Sequence, residues 1–180
     1  MGADLIPVIE TERLRLRGHT LADLDATAAM WADPDVVRYL GGKPSTREES
    51  WTRMQRYPGL WALTGYGYWL IEEKSSGRFV GEGGFADFKR ETSPRIEEPE
   101  QGWALAKWAH GRGYASEAVA AQIAWAEDHF GPDATFVCMI NPENAPSIRL
   151  AERHGYREFA RSTYREAPTV LFRRPGAATR

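Results

Sequence analysis

The sequence is poor in cysteine and has no long apolar run. Its one cysteine, Cys138, cannot form an internal disulfide, and the surrounding run TFVCMI is typical of a buried strand rather than of a reactive thiol. No stretch approaches the roughly 20 apolar residues of a membrane span, and the N-terminal segment MGADLIPVIE lacks the charged and apolar regions of a signal peptide. We therefore expect a protein of a reducing, cytoplasmic compartment with no membrane partner.

The chain also lacks a large net charge and a set of residues spaced as metal ligands. A formal charge of -2 and a pI near 6.1 give no basic field of the kind on which nucleic-acid binding depends. No cysteine or carboxylate pair completes a metal site around the histidines, which lack ligand spacing: His19, His110, His129 and His154. What the chain does have is 180 residues with 42% apolar content, enough for one domain with a substantial core.

The first third of the sequence predicts a strand followed by two helices. In TERLRLR, Leu14 and Leu16 alternate with arginines, which predicts a half-buried strand whose charges face the solvent. Two capping boxes, Thr20 with Asp23 and Ser45 with Glu48, predict helices that run to about Ala32 and Tyr57. The segment DPDVVRYLGG between them reads as a turn-rich link.

The rest of the sequence predicts a mixed α/β domain, mostly antiparallel. The segments GYGYWLIEEK and RFVGEGGFADF predict a hairpin, with a bulge near the glycines at 81, 83 and 84. The later elements are the strand EQGWALAKW, a helix from Tyr114 to about His129, the strand TFVCMI, a helix from Asn144 to His154 and two strands in YREFARSTYREAPTVLFRR. The helix from Tyr114 should present one apolar face: Ala115, Val119, Ile123 (or Gln122), Ala126 and Phe130. We expect one domain over 1–180, with a core from about 9 to 174 and a disordered tail, PGAATR.

The turn Gly111-Arg112-Gly113 lies between a strand and a helix. A helix start leaves backbone N–H groups unpaired, and these groups and the helix dipole attract anions, above all phosphates. Ser116 stands where a dinucleotide-binding fingerprint needs a third glycine, and the phosphate-binding loop G-x-x-x-x-G-K-[ST] is absent, so both common nucleotide loops are disfavoured. A tight connection without a ligand is the alternative.

Asn144 and Ser147 lie three residues apart at the start of the last helix. They therefore share one face of its first turn, where an amide and a hydroxyl can both reach a ligand. The structural alternative is strong, because asparagine is a favoured N-cap and Pro146 suits a first turn.

Four segments, taken in order, resemble the signature of a known superfamily. TERLRLR, FVGEGGF, EQGWALAKWAHGRGYASEA and NPENAPSIRLAERHGY are similar to the successive motifs of the GNAT superfamily of acyl-CoA-dependent N-acetyltransferases. Within it they resemble the branch that acetylates ribosomal-protein N-termini, and the likeness spans roughly residues 9 to 174. The resemblance implies a twisted mixed sheet that splays open between its fourth and fifth strands, with acetyl-CoA as cosubstrate in the cleft. It also implies an amine acceptor, either a peptide N-terminus or a small molecule, and makes a homodimer plausible.

The same resemblance assigns contacts to individual residues. The diphosphate of CoA would lie on the turn and helix start: His110, Gly111, Arg112, Gly113, Tyr114 and Ala115, with Ser116 beside them. The backbone of Leu105, Ala106 and Lys107 would pair with pantetheine amides as an added strand would. Asn144 would hold the pantetheine arm, and Ser147 would point towards the sulfur.

Two positions depart from the superfamily pattern. Trp108 stands where the turn usually opens with Gln or Arg, which removes one polar contact but not the backbone donors. Ala151 stands where many members carry a tyrosine that protonates the leaving thiolate, which leaves Ser147 as the substitute. For the base that deprotonates the amine we predict Glu100, at the start of the fourth strand, with Glu82 as its rival.

Several alternatives stay open at this level. Because the tyrosine is missing, the protein could also be a non-catalytic domain that binds acyl-CoA or has a regulatory role. A third possibility is an enzyme that uses a longer acyl-CoA. The aromatic residues before and within the hairpin suit core packing, with an acceptor wall as the alternative: Trp51, Tyr57, Trp61, Tyr66, Tyr68 and Trp69.

Overall fold

An eight-stranded sheet organises residues 6–177, the part of the chain that the computed structural model describes. Its strand order is β1-β2-β3-β4-β5-β6-β8-β7, and all neighbours are antiparallel except β5 and β6. The strands are β1 Ile9–Glu10, β2 Leu14–Arg17, β3 Tyr68–Glu73, β4 Phe79–Ala86, β5 Glu100–Leu105, β6 Phe136–Ile140, β7 Arg157–Tyr164 and β8 Ala167–Arg174. The predicted mixed, mostly antiparallel α/β fold is confirmed.

The sheet opens between β5 and β6. Their register joins one pair of residues, Glu100 and Val137, and the Val137 N–H donates to the Pro99 carbonyl at 3.2 Å. Beyond that pair the described strands share no register, so one side of β5 borders a gap. These are the fourth and fifth strands of the sequence-based prediction, since the short β1 was not counted there, and the predicted splay is confirmed.

Within residues 6–177, five α-helices flank the sheet. They are α1 Leu24–Ala32, α2 Pro34–Val37, α3 Arg47–Thr64, α4 Tyr114–Phe130 and α5 Ala145–Arg153, with short 3-10 turns at Leu21–Asp23 and Lys107–Ala109. The ends predicted for α1, α4 and α5 agree with the structure to within a few residues. The exceptions lie in the segment from 33 to 64.

Helix α3 begins one residue later and ends seven residues later than predicted. Its capping box is Thr46 with Glu49, because the Glu49 N–H donates to Thr46 Oγ1 at 3.1 Å and the Thr46 N–H donates to Glu49 Oε2 at 2.7 Å. The helix continues through Pro58, a residue that normally breaks one. The burial of Trp61, whose indole N–H donates to the Tyr68 carbonyl at 3.1 Å, offsets that cost.

The predicted turn-rich link also contains a helix. Asp33 caps α2 by accepting from the Asp35 N–H at 2.9 Å, and Pro34 occupies the first helical position, where a missing N–H costs nothing. Val36 and Val37 are buried. Four residues are too few to show a periodicity, which is why the pattern alone indicated a loop.

Helix α4 packs on one face of the sheet. Val119, Ile123 and Ala126 are buried as predicted, and Gln122 is buried with them, whereas Ala115 and Phe130 are only half-buried. Cys138 lies in the core, where burial raises the pKa of its thiol, so the predicted packing role is confirmed.

Two local expectations concern the hairpin and the C-terminal tail. The bulge predicted near the glycines at 81, 83 and 84 lies beside the first of them, at Val80, since Ile71 pairs with Gly81 while Glu72 pairs with Phe79. The tail expected to be disordered is anchored as far as Ala177, whose N–H donates to the Pro132 carbonyl at 2.8 Å. Residues 178–180 of that tail lie outside the described residues.

Candidate functional site

The turn after β5 is built on two glycines in the left-handed region. Gly111 has a φ of 72° and Gly113 a φ of 79°, and only glycine adopts this conformation at little cost. The turn is exposed to solvent, and Gly113 is the N-cap residue of α4.

The N-terminus of α4 has free donors. In the part of the chain described, no side chain caps it, so the N–H groups of Tyr114, Ala115 and Ser116 lack the acceptors that a capping residue would supply. These donors and the positive end of the helix dipole converge on one exposed place. The arrangement suits an anion such as a phosphate.

Trp108 fastens the turn to the sheet. Its indole N–H donates to the Phe79 carbonyl at 3.0 Å, and the guanidinium groups of Arg78 and Arg112 lie 3.9 and 5.4 Å from its ring centroid. The residue that departs from the superfamily pattern therefore provides packing and brings two cations to the turn, in place of a direct polar contact.

The backbone of Ala106, the residue after β5, has partners within the protein. The Ala106 N–H donates to the Val80 carbonyl at 2.8 Å, and the Ala106 carbonyl accepts from the Ala109 N–H at 2.9 Å. The pairing of Ala106 with pantetheine stays a prediction. Because strand residues alternate, the backbone of Leu105 points the other way, to the gap, where its carbonyl lies 2.9 Å from His110 Nε2.

Asn144 and Ser147 lie across the gap from β5. Asn144 Oδ1 accepts from the Ser147 N–H at 3.3 Å, so Asn144 does cap α5. The indole N–H of Trp103, on β5, donates to Ser147 Oγ at 3.3 Å. Ala151, one turn further along α5, is fully buried in the core, and a larger side chain there would need the core to repack.

Glu100 forms a buried ion pair. It is 5% exposed, and its two oxygens accept from Arg90 Nε and Nη2 at 2.5 and 2.8 Å. Burial raises the pKa of Glu100, and the guanidinium of Arg90 opposes that rise. The Arg90 guanidinium also lies over the rings of Phe88 and Tyr164, at 4.6 and 4.9 Å from their centroids. Both oxygens of Glu100 are therefore paired with the guanidinium of Arg90.

Glu82 is wholly buried and surrounded by rings. One oxygen accepts from the indole N–H of Trp31, and the other lies 2.9 Å from Nε2 of His19, which is itself buried. Burial, followed by the charge of Glu82, raises the pKa of the Tyr57 phenol. Tyr57 stacks on Tyr68 at a centroid distance of 5.2 Å. Glu82 pairs in register with Ala104, the residue before Leu105.

The residues of the candidate aromatic wall differ in exposure. Tyr57, Trp61 and Trp69 are buried and belong to the core, Tyr66 and Tyr68 are half-buried, and Trp51 is exposed. The core interpretation therefore accounts for most of them.

Comparison with known proteins adds to this geometry. The family profile described as "Acetyltransferase (GNAT) domain" matches residues 13–157, which include the turn, the gap and all of α5. The chain belongs to the GNAT acetyltransferase family. This GNAT chain is 33% identical over 156 residues to the uncharacterised protein YkkB of Bacillus subtilis, covering 81% of this chain and 82% of YkkB. It is 30% identical over 141 residues to the uncharacterised N-acetyltransferase p20 of Bacillus licheniformis, covering 78% and 76% of the two chains.

Solved GNAT structures show the same fold. A protein described as a GNAT-family acetyltransferase of Bordetella pertussis superposes with a TM-score of 0.81 at 31% identity, over 93% of this chain and 99% of the other. The RimL ribosomal L7/L12 α-N-protein acetyltransferase in complex with coenzyme A superposes with a TM-score of 0.75 at 18% identity, over 96% and 99% of the two chains. At that identity the likeness shows the fold alone.

Several contacts of this candidate site had no signal in the sequence. His19 follows a strand, Trp31 lies in α1 and Arg90 lies in a charged loop, and only the fold brings them to the two carboxylates, Glu82 and Glu100.

The arginines of TERLRLR form ion pairs and are not only exposed to solvent. Arg13, Arg15 and Arg17 form ion pairs with acidic residues of other elements: Glu117, Glu10, Glu72 and Asp23.

Residues 6–177 contain neither a candidate metal cluster nor a candidate membrane span. No group of three or more His, Cys, Asp or Glu side chains within that range is placed to hold a metal ion. No helix of that range is both long enough and apolar enough to span a bilayer.

Proposed function

We propose that this GNAT protein transfers an acetyl group from acetyl-CoA to a primary amine, by direct attack of the amine on the thioester in a ternary complex. The observation that carries the proposal is the uncapped N-terminus of α4 behind the Gly111-Arg112-Gly113 turn, at the end of the strand that borders the gap. A diphosphate needs these donors, and an extended amide chain needs the free edge of a strand.

The turn would hold the diphosphate of CoA through backbone N–H groups from Gly111 to Ala115, since the His110 N–H already donates to the Lys107 carbonyl at 3.1 Å. The Ser116 hydroxyl lies beside them, 2.8 Å from His154 Nε2. The pantetheine amides would pair with the backbone of Leu105 and Lys107 and reach the side chain of Asn144 across the gap. The sulfur would then lie near Ser147 and Trp103.

Ser147 is suited to assist the leaving thiolate. Because its oxygen accepts the proton of the Trp103 indole, its own hydroxyl proton is free to be donated. A thiol has a pKa of about 8.5, so CoA thiolate leaves acceptably near neutral pH and needs a hydrogen bond more than full protonation. One hydroxyl therefore substitutes for the tyrosine that Ala151 replaces.

The amine needs more help than the thiolate. At pH 7, deprotonation costs about 1 kcal/mol for an α-amine of pKa about 7.8, but roughly 4.6 kcal/mol for a lysine-like amine near 10.4. Of the two candidate bases, the contacts favour Glu82 over the predicted Glu100, because protonation of Glu100 would leave the buried charge of Arg90 without its partner.

Strand register supports the same choice. Glu100 precedes Trp103 by three residues of β5, so the two residues are about 10 Å apart at about 3.3 Å per residue. Glu100 also pairs with Val137 of β6, so it lies at the closed end of the gap. Glu82 lies one strand away, opposite Ala104. His19 holds the Glu82 carboxylate in place, since its Nε2 lies 2.9 Å from Glu82 Oε2.

The proposal is tested by following thiol release from acetyl-CoA over a panel of amines that includes peptide N-termini and alkyl amines. We expect thiol to appear only when an amine is added, since direct attack forms no acyl-enzyme. The alternative, a non-catalytic acyl-CoA-binding domain, is favoured by the missing tyrosine at Ala151. It predicts binding of acetyl-CoA with no release for any amine.

Replacing Gly113 with valine should weaken binding of acetyl-CoA at least tenfold, or about 1.4 kcal/mol. A β-branched residue is strained at a φ of 79°, and its Cβ would lie 3.3 Å from Arg13 Nη2. Calorimetric titration gives the affinity. Gly77→Val is the matched control, because Gly77 has a φ of 69° in open space in the hairpin turn. Unchanged affinity in a folded Gly113→Val protein would refute the cradle.

Ser147→Ala should lower kcat about tenfold and leave acetyl-CoA affinity nearly unchanged. The hydroxyl acts on charge that develops only as the thioester breaks, so its loss affects the transition state and not the ground state. Steady-state kinetics and a separate binding titration distinguish the two effects. A kcat equal to that of the wild type would mean that the thiolate leaves without help from Ser147.

A further inference from the structure

A carboxylate in the first turn of α4 ties the start of β2 to the helix. Glu117 Oε1 accepts from the Arg13 N–H at 2.8 Å and from the Thr11 hydroxyl at 2.6 Å. Its Oε2 accepts from Arg13 Nε and pairs with Nη2, both at 2.7 Å. Burial alone would raise the pKa of Glu117, but the bonds from Thr11 and Arg13 lower it, so the carboxylate is ionised and holds the guanidinium in one orientation.

The third guanidinium contact reaches the turn itself. Arg13 Nη1 donates to the Arg112 carbonyl at 2.9 Å. In a trans peptide the carbonyl and the following N–H point in opposite directions. A carbonyl held towards Arg13 therefore turns the Gly113 N–H to the other side of the turn. If this peptide flipped, a carbonyl dipole would replace an N–H in the anion site.

We propose that Arg13 is a positioning residue for the cofactor, which fixes the Arg112–Gly113 peptide so that the Gly113 N–H points at the diphosphate. The inference rests on the proposed function, because it concerns how the same turn binds CoA. It gives a shared role to two motifs that are 104 residues apart, TERLRLR and GRGYASEA. Arg13 acts through the backbone and not by contact with the reacting atoms.

Arg15, two residues after Arg13 and on β2, provides a matched comparison. Its side chain is 45% exposed and that of Arg13 43%, and it too forms ion pairs, with Glu10 and Glu72. None of the contacts described for Arg15 involves the turn. Loss of either arginine removes one positive charge and one set of ion pairs from this face, but only loss of Arg13 releases the Arg112 carbonyl.

The decisive variant is Arg13→Lys. Lysine keeps the charge and can pair with Glu117, but one ammonium cannot bind that carboxylate in a fork and hold the Arg112 carbonyl as well. We expect Arg13→Met to weaken CoA at least tenfold by calorimetric titration, Arg13→Lys to weaken it at least threefold, and Arg15→Met to stay within twofold. The KM for acetyl-CoA should rise in parallel while kcat at saturation stays near that of the wild type.

A double-mutant cycle adds a second readout. Glu117→Gln should weaken CoA on its own, and it should add little in the Arg13→Met background if the carboxylate acts by holding the guanidinium. A folded Arg13→Lys protein that binds CoA like the wild type overturns the inference, and so does an equal loss in Arg13→Met and Arg15→Met. Failure of the proposed function looks different: a wild type that binds CoA but acetylates no amine leaves the positioning role intact.

Discussion

Replacing Arg90 with methionine is expected to lower the free energy of unfolding by about 3 kcal/mol, the lower end of the cost of breaking a buried ion pair. The Glu100 side chain is 7% exposed and that of Arg90 21%, so the variant leaves a carboxylate that water reaches poorly and that has lost both guanidinium donors. Urea denaturation at pH 7 gives the difference. Arg95→Met is the control, because Arg95 is an exposed arginine of the same loop.

The destabilisation by Arg90→Met should shrink as the pH falls. Burial already raises the pKa of Glu100 in the native protein, and without the guanidinium nothing opposes that rise. When the pKa of a carboxyl is higher in the folded than in the unfolded protein, the group favours folding most at pH values below its unfolded-state pKa of about 4.3. It loses that contribution as the pH rises through its pKa in the folded protein. The variant should therefore approach the wild type near pH 4–5. A further Glu100→Met replacement should recover stability at pH 7, and a penalty that stays constant with pH would contradict this account.

The sequence could predict those parts of the site that depend on neighbours along the chain. Gly111 and Gly113 precede a strongly periodic helix, and Asn144 and Ser147 are spaced by one helical turn, so local rules were sufficient to place them. The opening of the sheet followed from resemblance to a family whose fold is shared. Helix α3 was cut short because Pro58 is a local stop signal, and only burial of Trp61 against the sheet overrides it.

The environments of the carboxylates could not be predicted in this way. The strand pattern of EQGWALAK placed Glu100 on the correct face, opposite to Gln101, but it carried no information on Arg90, ten residues earlier in a loop. Glu82 meets His19 across 63 positions and Trp31 across 51. Contacts of that range come from topology, which a local sequence pattern does not contain.

Replacing Glu82 with glutamine is expected to lower kcat/KM for alkyl amines at least a hundredfold, within the range that a positioned base contributes. For α-amines the loss should be smaller, because their deprotonation costs about 3.5 kcal/mol less at pH 7. Glutamine keeps the shape of the side chain and an oxygen for the Trp31 indole, so the fold should survive. Glu100→Gln is the matched control: it should keep kcat/KM for alkyl amines near that of the wild type while losing stability, since it removes the charge that Arg90 needs. If Glu100→Gln instead shows the large loss for alkyl amines and Glu82→Gln does not, the base is Glu100, as the strand pattern first predicted. If neither variant shows that loss, neither carboxylate takes the proton from the amine.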